Sequence, residues 1–118
     1  MFALDTVMAV YLHRDAIDFR KGINGLVALV EQELQLDPFS LACFAFCNRQ
    51  RNKVKILFWQ TNGFWLLQKR LESANKFIWP RLGDDVLRLN VQQLHWLLDG
   101  FNLAAMKGHQ PLHYQRAS

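Results

Sequence analysis

Lys53-Val54-Lys55-Ile56-Leu57-Phe58-Trp59, followed by Gln60-Thr61-Asn62-Gly63 and then Phe64-Trp65-Leu66-Leu67-Gln68-Lys69-Arg70-Leu71, is the stretch that decides the fold. Its first and last segments are rich in β-branched and aromatic residues, and a short polar connection separates them. Asn62-Gly63 is the strongest local hairpin signal in the chain, because both residue types tolerate the backbone of a tight turn. In an extended strand alternate side chains share a face. Lys53, Lys55, Leu57 and Trp59 therefore lie on one side, and Val54, Ile56 and Phe58 on the other.

Moving outward, Ala42–Cys47 reads as a preceding strand, joined through the polar residues Asn48 to Asn52. Asp37-Pro38-Phe39-Ser40 is turn chemistry, since Pro38 disfavours helix before it. Further upstream, Val7 to Leu12 is a short apolar run expected to form a buried strand. Asp15 is expected to cap a helix, with Asp18 in its first turn. Phe19, Ile23, Leu26, Val27, Val30 and Leu34 recur at spacings of three and four, one face of an amphipathic helix ending near Gln35. Gly22 and Gly25 lie off that face.

Downstream, Lys76–Trp79 reads as another short strand ended by Pro80, and Asp84-Asp85 as a turn into Val86–Leu89. Asn90 then caps a closing helix, with Gln93 at the capping-box position and Leu89 and Leu94 placed for a hydrophobic staple. Its expected stripe is Val91, Leu94, Leu97, Leu98 and Phe101. The expectation is an α+β fold, an antiparallel β-meander of about five short strands packed with two helices. All 118 residues form one domain, because two would each lack a sufficient core, and residues 104–118 read as a mobile tail.

The composition is globular, with 51% hydrophobic, 13% aromatic and 20% charged residues, which argues against wholesale disorder. Nine Phe and four Trp are hard to hide in so small a domain, so some are expected at a partner surface. The start Met1-Phe2-Ala3-Leu4-Asp5 lacks the basic stretch of a secretory signal, and no apolar run nears the ~20 residues of a membrane span. A soluble, cytoplasmic protein without membrane contact is expected. The net charge of +4 is unevenly spread: between Arg49 and Arg81 eight basic residues face Glu72 alone, while the rest of the chain is net acidic. Such asymmetry suits a polyanionic partner.

The residues read as a nucleic-acid surface are Arg49, Arg51, Lys53, Lys55, Trp59, Lys69, Arg70 and Arg81. Ammonium and guanidinium groups neutralise phosphates, and rings between them can stack on bases. The alternatives are another kind of partner surface, or an ordinary solvated face with Trp59 in the core. Asp18-Phe19-Arg20-Lys21-Gly22 gathers charges of both signs beside two glycines, Gly22 and Gly25, read either as a local ion pair or as a partner-binding corner. Trp79 joins Asp18, Arg20 and Lys21 as a partner-binding candidate.

Cys43-x-x-x-Cys47 and His109-x-x-x-His113 have ligand types suited to zinc, but residues four apart in a strand lie ~13 Å apart, too far for one tetrahedral ion. Pro111 breaks any helix that would join the two histidines. No metal and no cofactor are expected. No P-loop, dinucleotide fingerprint or nucleophile elbow is present, so no catalytic residues are assigned.

The order of the motifs carries more than any one of them. Val10-Tyr11-Leu12, Asp18-Phe19-Arg20-Lys21-Gly22-Ile23-Asn24-Gly25-Leu26, Asp37-Pro38-Phe39-Ser40 and Lys53–Trp59 come first. Asn62-Gly63-Phe64, Lys69-Arg70-Leu71-Glu72, Phe77-Ile78-Trp79-Pro80 and Gln93-Leu94-His95-Trp96-Leu97-Leu98-Asp99-Gly100 follow. This ordered set resembles TnpB, the family of accessory proteins encoded by the second reading frame of insertion sequence 66 type transposons. It is distinct from the RNA-guided nuclease of the same name. The resemblance runs from about residue 10 to 101. Leu41 stands where a glycine usually follows the Pro-Phe-Ser turn, and Gln60 where an aspartate often follows the tryptophan.

The resemblance implies a protein needed for transposition beside a separate, larger transposase, and without a catalytic constellation in the sequence it is read as non-enzymatic. The favoured reading is a DNA-binding accessory protein at transposon ends that helps assemble the transposase complex. The alternative is a protein–protein adaptor docking on the transposase without DNA contact; a nuclease stands third. A homo-oligomer is compatible with each. Because the cysteines cannot share one ion, treatment with a chelator should leave the thermal midpoint unchanged. A large drop together with stoichiometric zinc in elemental analysis would overturn this.

Overall fold

A computed structural model describes residues 9–80, 83–108 and 115–116. The elements are β1 (Ala9–His13), α1 (Ile23–Gln32), β2 (Ala42–Cys47), β3 (Lys53–Gln60), β4 (Gly63–Arg70), β5 (Val86–Leu89), α2 (Val91–Leu98) and a two-residue β6 (Gln115–Arg116). A 3-10 turn at Ala105–Gly108 precedes β6. The strands form one sheet in the order β4-β3-β2-β1-β5-β6.

The fold is α+β, and β2-β3-β4 is the antiparallel meander expected from the two polar connections. The sheet is nonetheless mixed. β1 lies parallel to β2, with Tyr11 opposite Phe44, and antiparallel to β5. Parallel neighbours cannot be joined by a tight turn, so the chain crosses over through α1. β2 is thereby central and buried along its whole length, which its sequence Ala-Cys-Phe-Ala-Phe-Cys allows because both faces are apolar.

α1 covers one face. Leu26, Leu29 and Val30 pack there with Phe44, Phe46 and Leu57, joined by the partly buried Phe19, Leu34 and Leu36. The other face carries Val54, Ile56 and Phe58 beneath Leu94, Leu97, Phe77 and Trp79. Full burial of one large side chain stabilises by ~1.5–3 kcal/mol, so the two cores give most of the folding free energy.

Several local expectations need correction. α1 starts at Ile23, not Asp15: its N-cap is Gly22, which makes no side-chain cap. Residues 14–22 instead run across the end of the sheet, with the Arg14 amide on the Asp85 carbonyl (2.9 Å) and the Ile17 amide on the Cys47 carbonyl (2.9 Å). The helical spacing of Phe19 reflects its place under the same core, not a place on the helix.

Lys76–Trp79 is not a strand. Phe77 and Trp79 are buried and Ile78 is exposed, but the segment lies on the sheet's α2 face rather than joining its edge. Phe101 is likewise outside α2 and half exposed, because the chain leaves the helix through Gly100 at φ 93°. The capping box of α2 forms as its sequence predicts: the Gln93 amide donates to Asn90 Oδ1 at 2.7 Å, and the Asn90 amide to Gln93 Oε1 at 2.9 Å. Of the tail, residues 109–114 and 117–118 lie outside the described residues, as do His109 and His113.

The β3–β4 hairpin closes one residue earlier than Asn62-Gly63 implies. Gln60 pairs with Gly63, leaving Thr61 and Asn62 as the loop. The Asn62 amide donates to the Gln60 carbonyl at 2.6 Å, and Thr61 takes φ 57°. A β-branched residue is strained there, whereas Gly63 has no positive φ and open space around its Cβ position. Thr61→Gly should therefore stabilise the chain by about 0.5–1 kcal/mol in urea unfolding. Gly63→Ala should be neutral or mildly stabilising; a loss above ~1 kcal/mol there would show that Gly63 carries the turn.

Candidate nucleic-acid interface

The β2–β3 loop is built by one side chain. Asn48 is buried, and its Oδ1 accepts from the amides of Asn52 (3.0 Å) and Lys53 (3.1 Å), while its Nδ2 donates to Asn52 Oδ1 (2.7 Å). This closes a tight loop that carries Arg49 outward and turns Arg51 into the left-handed region at φ 58°. Phe77 fastens the loop from the other side, its amide donating to the Arg51 carbonyl at 2.7 Å. Sequence reading passed over Asn48, although asparagines at both ends of a short polar loop are a recognisable turn signal.

Residues 16–20 lie beside this loop, and a groove of about 450 Å³ runs between them, lined by Asp18, Arg20, Arg49, Gln50 and Lys53 among others. The structure thus unites the Asp18–Arg20 corner with part of the basic row from β3. Arg70 joins them by register, opposite Lys53 on the same face. Asp18 is the acidic residue in the groove wall, and Arg20 holds it: the Arg20 Nη2 to Asp18 Oδ2 distance is 2.7 Å. The Arg20 guanidinium, with its backbone amide, keeps the Asp18 carboxyl well below the usual carboxylate range. Both side chains are largely exposed, so the pair adds little to stability. Arg70 similarly meets Glu72 at 2.9 Å on the surface.

Lys55 leaves the row. It is buried, and its ammonium donates to the backbone carbonyls of Phe19 (2.6 Å) and Lys21 (2.8 Å) while lying 4.4 Å from the centroid of the Phe19 ring. Burial pulls its pKa below the ordinary lysine value, with the Asp18 carboxylate acting the other way. An ammonium held this way cannot reach a phosphate; it pins residues 19–21 to the sheet.

The other candidates are scattered. Lys69 points to the opposite face, where its ammonium binds the Leu98 carbonyl at the end of α2 (2.7 Å). Trp59 lies six residues along β3 from Lys53, roughly 20 Å away. It is half-buried in a cluster with Phe39 and Phe64, each ring 5.0 Å from its own. Trp79 is corrected to a core residue, its indole N–H donating to the His13 carbonyl at 2.9 Å. Lys21 is exposed beside the groove, and Arg81 lies outside the described residues.

The match of this chain to the family model described as IS66 Orf2 like protein extends over residues 8–108. The chain belongs to that family. It is also similar to two proteins of Sinorhizobium fredii (strain NBRC 101917 / NGR234). Uncharacterized protein y4jC is 35% identical over 91 residues, 77% of each chain. Uncharacterized protein y4hO is 28% identical over 93 residues, 79% of this chain and 80% of its own. No solved structure matches the chain. Family membership points to an accessory role in transposition. No helix among the described residues is long and apolar enough to cross a membrane.

Lys55→Met removes the donor to two carbonyls and should destabilise the chain by about 1–3 kcal/mol in urea unfolding, with faster amide exchange at residues 17–22. Lys53→Gln, on the same face but only partly buried, should stay within ~0.5 kcal/mol of the parent. Equal effects of the two would show that the Lys55 ammonium does not hold the segment.

Proposed function

We propose that this chain is a non-catalytic accessory protein of IS66-type transposition that binds DNA at the element ends, in the cytoplasm, beside the transposase. One observation carries the reading. The fold brings Arg49 and Lys53 to one groove, and Asp18, in its wall from a distant part of the chain, is neutralised by Arg20, which leaves the groove net positive. Cations placed along a surface channel neutralise backbone phosphates and release condensed counterions, which gives sequence-tolerant affinity. Helping the transposase complex to assemble on those ends follows from such binding.

The second reading, an adaptor docking on the transposase, has its own support. Phe39 is 51% exposed and Leu41 65% exposed, beside the Trp59–Phe64 pair at the opposite end of the sheet. Clustered exposed rings favour protein interfaces.

The salt dependence of binding to element-end duplex separates the two. Each phosphate contact should contribute ~0.9 to the slope of log affinity against log salt, so Arg49→Gln with Lys53→Gln should flatten it by nearly two and weaken all sequences alike. Phe39→Ala should leave DNA binding intact. An unchanged slope in the double variant, with transposase binding lost in Phe39→Ala, would replace DNA binding with the adaptor.

A further inference from the structure

On the other side of the β2–β3 loop the sheet end holds a second, smaller recess of about 70 Å³. Arg14, Arg49 and Arg51 wall it, with Ala16, Cys47, Asn48 and Trp79, and no carboxylate lines it among the described residues. The Arg51 Nε is buried with no hydrogen-bond partner among the described residues. A buried guanidinium N–H left unmade is unfavourable, and Arg51 also sits at φ 58°, a backbone region that long side chains seldom take. Such orphaned donors and strained backbone gather at ligand sites.

The rigid parts around it are already fixed. Asn48 organises the loop, Phe77 holds the Arg51 carbonyl, and Trp79 is anchored on His13. Burial pushes the Cys47 thiol up to about 12, against the pull of Arg51, so it brings no negative charge.

We propose that this recess binds a phosphate group, with Arg51 and Arg49 as its principal donors. Guanidinium forks match the oxygens of a tetrahedral oxyanion in geometry and charge. At about 70 Å³ the recess is of a size for a phosphate group rather than for an attached nucleoside. Arg49 also lines the groove, so a strand lying there could place either a terminal phosphate or a backbone phosphodiester in the recess. The inference deepens the DNA-binding reading, yet inorganic phosphate tests it without DNA.

The experiment is a titration of the full chain with inorganic phosphate at constant ionic strength in chloride, followed by thermal unfolding. The midpoint should rise with the logarithm of phosphate concentration once that exceeds Kd, and not with chloride. Arg51→Asn should abolish the rise without unfolding the chain, since asparagine accepts positive φ readily. Arg49→Gln, at an exposed position, should weaken it about tenfold, the loss of one charged hydrogen bond. No rise beyond that in chloride, or one that survives in Arg51→Asn, overturns the proposal.

Two oligonucleotides, identical except for a 5′-phosphate or a 5′-hydroxyl, then identify the source. Tighter binding of the phosphorylated strand, erased in Arg51→Asn, assigns a terminal phosphate. Equal binding weakened in Arg51→Asn assigns a phosphodiester, and equal binding untouched by Arg51→Asn overturns the site on DNA. Absent phosphate binding together with a steep, Lys53-dependent salt slope would sink the recess and leave the DNA-binding groove standing.

Discussion

An ammonium group withdrawn from water must find oxygen atoms, and Lys55 finds them in the carbonyls of Phe19 and Lys21. Its own strand is fixed on both sides by β2 and β4, so the search has one outcome: the segment before α1 is drawn onto the sheet. The entry of α1 and the seat of Phe19 on the ring-lined face follow from that contact. So does the wall of the groove that carries Arg20. A charge that resembles a surface feature in the linear sequence is in the fold a fastening inside it.

The parallel pairing of β1 with β2 sets the second constraint. Because the crossover passes through α1, residues 14–22 must traverse the end of the sheet at which the β2–β3 loop emerges. Two segments some thirty residues apart are thereby placed side by side, and their cations share one groove. The opposite end of the sheet receives the Phe39, Trp59 and Phe64 rings. Charge and exposed aromatics therefore segregate to the two ends, although β3 carries both.

Local signals in the sequence translated well where the structure is decided locally. The capping box at Asn90 and the two polar connections of the meander are of this kind. Asp15 misled because a capping residue works only if the chain turns helical at that point, and long-range hydrogen bonds at Arg14 and Ile17 hold it extended. Lys76–Trp79 misled because alternation reports which side chains are buried, not whether the backbone has a strand to pair with. Within the candidate site, the clustering of charge was legible. The loss of Lys55, Lys69 and Trp79 to structural roles was not, since each depends on a partner distant in sequence.

The pinning of residues 14–22 also bears on how binding would be driven. Ordering a free loop removes roughly 1–2 kcal/mol of backbone entropy per residue. Here that loss occurs during folding, through the Lys55 ammonium on one side and the Asn48 amide on the other. Whatever enters the groove meets a backbone already ordered, so that part of the entropy loss is not set against its contacts.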